Sequence, residues 1–464
     1  MTASNAYGEV PYCAMRAVER TVYDDLPYKS MPIEWTAPER LALASLLHGG
    51  PRARLNGYRV LELGCADGSN LIPMALFRPN ATFVGVDSAL SQIALADGRK
   101  KSLGLENVEF VSADLCDADK YVSREFDFIV AHGVFSWIPD ATRNAMLEFC
   151  ASRLRHNGLF YLNYNTYPGW HVRGLIRRLL LAKTHDGASL LERALLAQEV
   201  AAHLALSISP NEHPFTQLLV RELNFVSEHH PSYIAHEYLA ANNRAYWRSE
   251  FLQLAGEYGF AYVADADFSY ASGRMTPGAI SQCLQPARSD QVIDEDVMDL
   301  LCYRQLHSPI LCRAPLIRRP HSLAEFTDLT IASALSNCVT EGEGSNRFRH
   351  PSGYEVETKE SGMQTVLTRL RRQWPKGMRI GDLFRDVASV MDDLKLLHRN
   401  GLVELRCLEA CESHGSAELL NRVEAQQGNY VTTAYHTREV VPIEWRETSL
   451  ATAGPETASH ILAP

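Results

Sequence analysis

The chain has 464 residues, with 45 Lys and Arg against 55 Asp and Glu, a formal net charge of −10 and 46% hydrophobic residues. That length implies two to four domains, and the apolar content excludes a wholly disordered chain. The mild acidity excludes a dedicated DNA coater, so no nucleic-acid partner is expected. The 10 cysteines are scattered, with none in a CxxC pair, which fits free thiols in a reducing compartment. Cys407, Cys411 and His414 lack a fourth ligand at zinc spacing, so no metal is expected. No run approaches the ~18 apolar residues of a membrane span. The start, Met1 to Glu9, lacks the basic-then-apolar pattern of a secretory signal, and the expected location is the cytoplasm.

In chain order, residues 1–35 are rich in Tyr and Pro. Tyr12, Tyr23, Tyr28 and Trp35 predict an arm lying over a domain. Residues 38–49 read as a helix with Pro38 in its first turn and Gly49 at its end. Strands are then predicted at 58–63, 82–86, 108–111, 126–130 and 158–164. They alternate with helices at 70–77, 89–103 and 142–155. Such alternation implies a doubly wound, mostly parallel Rossmann-like sheet, placed over 36–169. From Trp170 the texture becomes Leu- and Ala-rich. Helices are predicted over 172–205, 216–229, 232–241, 247–258 and 277–312, with one strand at Phe260–Ala264, in an α-rich middle domain over 170–318. Helical patterns at 361–373 and 380–400, followed by a strand from Gly401, suggest a winged-helix-like domain over 319–447. An Ala/Thr/Pro/Ser-rich tail over 448–464 is expected to be disordered.

The strongest local signal is Val60-Leu-Glu-Leu-Gly-Cys-Ala-Asp-Gly-Ser-Asn70, a strand running into a small-residue loop that opens a helix. Such a loop lets backbone N–H groups approach an anionic ligand. It is not the GxGxxG dinucleotide fingerprint, because Ala66 replaces the second Gly and Ser69 the third, and this disfavours a dehydrogenase. Asp87 ends the second strand, where a carboxylate can accept from a ribose diol. Asp114 closes the third strand. The fourth ends in His132-Gly-Val-Phe-Ser-Trp-Ile-Pro139 at the edge where such sheets bind ligands.

The ensemble of Glu62, Gly64, Gly68, Asp87, Asp114 and Phe126-Asp-Phe-Ile-Val130 resembles the class I AdoMet-dependent methyltransferases. The segments Glu62 to Pro73, His132 to Pro139 and Asn163-Tyr-Asn-Thr-Tyr-Pro-Gly-Trp170 resemble bacterial proteins with a methyltransferase regulatory domain. That group includes rickettsial protein-lysine methyltransferases acting on outer-membrane proteins. His236-Glu-Tyr-Leu-Ala-Ala-Asn-Asn-Arg244 and Leu306-His-Ser-Pro-Ile-Leu-Cys-Arg313 extend the likeness.

The resemblance implies S-adenosyl-L-methionine as cofactor. It places Gly64 and Ala66 at the methionine portion, Glu62 near its amino group, Asp87 at the ribose and Asp114 at the adenine amine; Cys65, Gly68, Leu115 and His132 complete the expected cofactor set. It also implies a homodimer and a protein substrate, with surface or outer-membrane lysines as acceptors. Tyr164, Tyr167 and Trp170, together with His132, are the acceptor-site candidates, and no general base is evident. A small-molecule methyltransferase and a non-catalytic AdoMet-binding protein are the alternatives. Asp127 is read as a strand cap, His236 and Glu237 as members of an ion pair on a helix, and Arg369 to Gln373 as a solvated helix face.

Overall fold

The computed structural model describes residues 21–407, apart from residue 29, residues 185–187, 209–212 and 267–290, and short stretches after 319. Tyr12, Cys411, His414 and the tail from 448 lie outside the described residues. Strand β1 (Arg59–Leu63) buries Val60, Leu61 and Leu63 completely. Apolar side chains on both faces are tolerated only in a central strand covered on both sides. Around it lie β2 (Thr82–Asp87), β3 (Val108–Ser112), β4 (Phe126–Ala131) and β5 (Leu154–Leu162). These five strands pair in parallel.

Two further strands, β6 (Phe260–Asp265) and β7 (Pro309–Arg313), complete a seven-stranded sheet in the order β3-β2-β1-β4-β5-β7-β6. Strand β7 runs antiparallel to both β5 and β6. One face of the sheet is covered by helices Pro38–Leu47, Leu71–Phe77 and Leu90–Leu103. The other is covered by Asp140–Arg153 and Arg248–Glu257. The doubly wound expectation therefore holds.

Residues 309–313 overturn the helical reading of 277–312. The helix there is Gln291–Leu301, and the chain then enters a two-residue bridge, Leu306–His307, and β7. Ile310, Leu311 and Cys312 are buried on both faces of the sheet, so the segment shows no alternation by which to recognise a strand. The helix read at 142–155 runs Asp140–Arg153, and β5 starts at Leu154, four residues early, because Leu154 pairs with Phe126 across a register shift.

The stretch read as one helix over 172–205 forms two, Gly169–Lys183 and Leu190–Ser207. The second is started by a capping box, in which Ser189 and Glu192 satisfy each other's backbone donors. Pro214–Glu228 and Pro231–Tyr238 pack against this pair. Ala194, Ala197, Ala201 and Ala205 form a buried small-residue stripe along the contact.

Beyond residue 319, helices Ser361–Gln373 and Met391–Arg399 accompany two three-stranded antiparallel sheets. The sequence pattern does not predict the strands Thr330–Ala332, Ser336–Glu341, Ser345–Arg349 and Glu355–Thr358. Leu43 of the helix Pro38–Leu47 joins the core of this region. No helix among the described residues is long and apolar enough to cross a membrane.

Candidate active site

At the carboxyl end of β1, the N–H groups of Gly64 and Cys65 both donate to the Val86 carbonyl, at 2.8 and 3.2 Å. This folds the loop over β2. Gly64 has φ +72°, and a Cβ there would stand 2.4 Å from Val134 Cγ2, so only glycine fits. Ala66 also sits in the left-handed region, at φ +46°, a conformation costing an L-residue ~1–2 kcal/mol. Its N–H donates to Asp87 Oδ2 at 2.8 Å, which holds it there. At Gly68, a Cβ would meet the Phe110 ring at 2.7 Å. Asp67 accepts from the Ser69 backbone and hydroxyl and pairs with Arg99 at 2.6 Å, fixing the far side of the loop. Cys65 is 2% exposed, and its sulfur packs under Gly85; it presents main chain to the site.

Glu62 is the one acid within β1 and is 4% exposed. Asn70 Nδ2 donates to its Oε1 at 2.7 Å, while Oε2 is buried with no hydrogen-bond partner among the described residues. Burial pushes its carboxyl up to about 8, against the opposing Asn70 bond and with help from Asp87 and Asp67. Asp87 accepts the Ala66 N–H on one oxygen and the Ala89 N–H, also at 2.8 Å, on the other. Burial raises its carboxyl despite these bonds. Asp114 is exposed and accepts from the Cys116 N–H at 2.8 Å, with Leu115 half-buried beside it.

His132, at the end of β4, is drawn into a network the sequence did not reveal. Its Nδ1 lies 2.8 Å from the Tyr161 hydroxyl, and the Trp35 indole N–H donates to that same hydroxyl at 3.1 Å. The Asn163 amide nitrogen lies 3.3 Å from the same Nδ1, so the ring is held between Asn163 and Tyr161. Burial holds the imidazole down at about 4, so it stays neutral at physiological pH. The arm carrying Trp35 is itself fastened to the loop: Asn70 Oδ1 accepts the Ile33 N–H at 2.9 Å. Further out, Asp24 accepts from the Ser91 N–H and hydroxyl at 2.9 and 2.6 Å. Tyr23 stacks on His236 with centroids 4.6 Å apart. His236 Nε2 lies 2.6 Å from the Leu26 carbonyl. Burial raises the neighbouring Glu237 carboxyl to about 7, with the charge of Arg173 opposing.

The acceptor candidates separate. Tyr164 is 2% exposed, stacked on Phe251 at 4.1 Å and paired in register with His307, inside the core. Tyr167 is half-buried against His171 at 4.2 Å and Trp247 at 5.5 Å. Trp170 is 4% exposed and meets Trp137 edge-on at 5.7 Å, which links it to the segment following β4. Asp127 lies at the opposite end of β4, where it accepts the Arg59 N–H and pairs with Arg155, as a strand cap should. Arg369, Arg371 and Arg372 are solvent-exposed.

The strand order and the glycine loop are those of the AdoMet-dependent methyltransferase fold. The chain carries a methyltransferase domain, matched over residues 55–203, followed by a region matching the family described as "Predicted methyltransferase regulatory domain" over 230–313. Strands β6 and β7 both fall within the second match.

An uncharacterized protein of Rickettsia prowazekii is 32% identical over 295 residues, covering 63% of this chain and 53% of its own length. The chain thus spans about half of that relative. A second uncharacterized protein of the same organism is 26% identical over 52% of this chain and 96% of itself. Among solved structures, PKMT2 from Rickettsia typhi superposes with a TM-score of 0.70 at 23% identity, covering 82% of this chain and 78% of that one. Its complex with AdoHcy gives 0.69 at 22% identity.

Proposed function

We propose that the chain binds AdoMet at the Gly64–Gly68 loop and transfers its methyl group to lysine side chains of proteins. The observation that carries the cofactor reading is Glu62: a buried carboxylate oxygen without a hydrogen-bond partner among the described residues, at the head of a loop that glycine and Ala66 keep open. An α-ammonium is the group such an oxygen lacks. Glu62 would hold that ammonium, Asp87 the ribose hydroxyls and Asp114 the adenine amine, with the main chain of Gly64, Cys65 and Ala66 against the methionyl part. The protein acceptor is supported by the likeness of this sequence to rickettsial protein-lysine methyltransferases and by the fold shared with PKMT2.

AdoMet supplies a methyl on a positively charged sulfur, which an amine displaces in line. The protein must align the amine, exclude water and obtain it unprotonated. Keeping a lysine of ordinary pKa ~10.4 neutral at pH 7 costs about 4.6 kcal/mol. The arm from Tyr23 to Trp35 and the Trp137–Trp170 pair supply the apolar surroundings that reduce this cost. In the same reading the protein is a cytoplasmic homodimer, divided at residues 36, 170 and 319 into arm, methyltransferase, regulatory and winged-helix-like parts.

Calorimetry with AdoMet, AdoHcy and NAD tests the cofactor; binding of NAD alone would overturn it. Incubation with methyl-labelled AdoMet and a bacterial lysate, followed by acid hydrolysis, tests the acceptor. Label is expected in methyl-lysine. Label confined to small metabolites would replace the protein substrate with a small molecule. AdoMet binding with no transfer to any fraction would favour a binding protein.

A further inference from the structure

The glycine loop ends at Asn70, just before the helix Leu71–Phe77, and the Asn70 side chain is 4% exposed. Its amide joins two parts of the molecule. On one side Nδ2 donates to Glu62 Oε1 at 2.7 Å. On the other, Oδ1 accepts the Ile33 N–H of the arm at 2.9 Å, and Nδ2 gives its second hydrogen to Thr36 Oγ1 at 3.0 Å. Thr36 in turn donates to the Ile33 carbonyl at 2.8 Å, which closes this part of the arm into a turn around the amide. A main-chain N–H can only donate, so the amide oxygen faces Ile33 and the nitrogen is left to face Glu62.

This fixes how Glu62 presents itself. With Oε1 held by Asn70, Oε2 is the oxygen left over, buried and without a hydrogen-bond partner among the described residues. The arm held by the same amide is fastened elsewhere along the carboxyl edge of the sheet. Asp24 accepts the Ser91 N–H at 2.9 Å, in the first turn of the helix that follows Asp87. Trp35 donates to the Tyr161 hydroxyl at 3.1 Å, near the end of β5. The arm is therefore tied to the segments after β2 and β1 and to β5 itself, and its middle tie is the residue that holds Glu62.

We propose that Asn70 is a positioning residue that aims Glu62 Oε2 at the α-ammonium of AdoMet and, through the same amide, couples cofactor binding to seating of the arm. The proposal rests on the AdoMet reading above and deepens it. A carboxylate that receives an ammonium is ionised, and a hydrogen bond to an ionised acceptor is roughly twice as strong as a neutral one. The Asn70 N–H bond to Glu62 then polarises the amide and makes Oδ1 a better acceptor for the Ile33 N–H. Linkage requires the converse, so a seated arm tightens AdoMet by the same factor.

The test is calorimetry of AdoMet on the full chain, with amide hydrogen exchange of the arm read in the same variants. Asn70→Ala should weaken AdoMet about tenfold, the worth of one bond to a charged group. In a Glu62→Gln background the same change should cost no more than about twofold, because no carboxylate remains to be aimed. The Asn70 bond lowers the Glu62 carboxyl against burial, which holds it at about 8, so without Asn70 the proton is kept to higher pH. At pH 8 Asn70→Ala should therefore release up to about half a proton more per AdoMet bound than wild type does. AdoMet should slow exchange around Ile33 several-fold in wild type and leave it unchanged in Asn70→Ala. Thr36→Val keeps the Glu62 bond and removes the arm's hydroxyl. It should exchange faster at Ile33 and bind AdoMet roughly threefold more weakly, and it replaces the Ala variant should that one fail to fold. Fully additive losses in the double variant overturn the proposal, as does proton release equal to that of wild type with affinity falling only in step with melting temperature. Arm exchange indifferent to AdoMet in wild type, or a Thr36→Val chain identical to wild type in exchange and affinity, also overturns it. A wild-type chain that binds no AdoMet overturns the cofactor reading and the proposal with it, whereas wild-type binding matched by Asn70→Ala overturns the proposal alone.

Discussion

The two sides of the candidate site are built from different ranges of the chain. The cofactor side is local: Glu62 meets Asn70 across 8 residues, and Ala66 meets Asp87 across 21. The side facing the regulatory region is assembled from afar. Leu26 meets His236 across 210 residues, Pro27 meets Ser232 across 205, and Trp35 meets Tyr161 across 126. A locally built half is retained by one strand-loop-helix unit. A half closed by an arm depends on the whole chain having folded. Substitutions on the first side should therefore be felt in cofactor affinity, and those on the second in transfer and stability.

The largest effect on AdoMet affinity is expected at Asp87. Asp87→Ala removes the carboxylate proposed to accept from the ribose and also releases the Ala66 and Ala89 N–H groups that set the loop. Each lost charge-assisted bond is worth ~1.5–3 kcal/mol, so affinity should fall at least about tenfold, and nearer a hundredfold if the loop relaxes. Calorimetry decides, and unchanged affinity in a folded variant would place the ribose elsewhere.

Next is Glu62→Gln, expected to weaken AdoMet by about tenfold through loss of one charged bond. The unliganded protein should respond in the opposite sense. Glu62 keeps its proton up to about 8 in the folded chain against an ordinary 4.5. The folded state therefore binds the extra proton between those values, and stability falls as pH rises through that window and levels off above it. The Gln variant lacks this slope, so it should melt higher than wild type above pH 8 and similarly near pH 4.5. If the AdoMet ammonium meets this carboxylate, binding at neutral pH should also release a proton, seen as heats that vary with the ionisation enthalpy of the buffer.

Smaller still is Tyr161→Phe, which strips Trp35 of its acceptor and His132 Nδ1 of its hydrogen-bond partner. Stability should drop by about 1–3 kcal/mol, the penalty for unsatisfied buried polar groups. AdoMet affinity should change no more than a few-fold. Trp170→Ala should leave affinity within about twofold and lower both transfer and melting temperature, since a large buried aromatic costs ~3–5 kcal/mol to truncate. Transfer lost without any thermal change would instead place Trp170 in direct contact with the acceptor.

The same contrast explains what the sequence revealed. Gly64, Gly68, Asp87 and Asp114 stand at strand ends set by short apolar runs, so periodicity alone brings them to one edge. Tyr164, Tyr167 and Trp170 are close in sequence but go separate ways. Tyr164 is fixed in a two-residue ladder, while Trp170 lies in the first turn of a helix starting at Gly169. Nothing in their spacing predicts that division. Strand β7 was hidden because it is buried on both faces, and the Trp35–Tyr161–His132 relay because its three members come from separate elements.

Strands β6 and β7 carry a consequence for cutting the molecule apart. The region matched as regulatory supplies the two strands that close one side of the catalytic sheet, and β7 covers the backbone of β5 at Phe160 and Tyr161. A chain ended at 169 or 203 would leave that backbone as an open edge, a template for pairing with other copies. It would also bare Phe160, which packs on Phe260 with ring centroids 5.3 Å apart. The regions matched as methyltransferase and as regulatory are thus separable as sequence families but not as folding units. Excision at either point should produce aggregation, because the second region completes the sheet that carries the glycine loop.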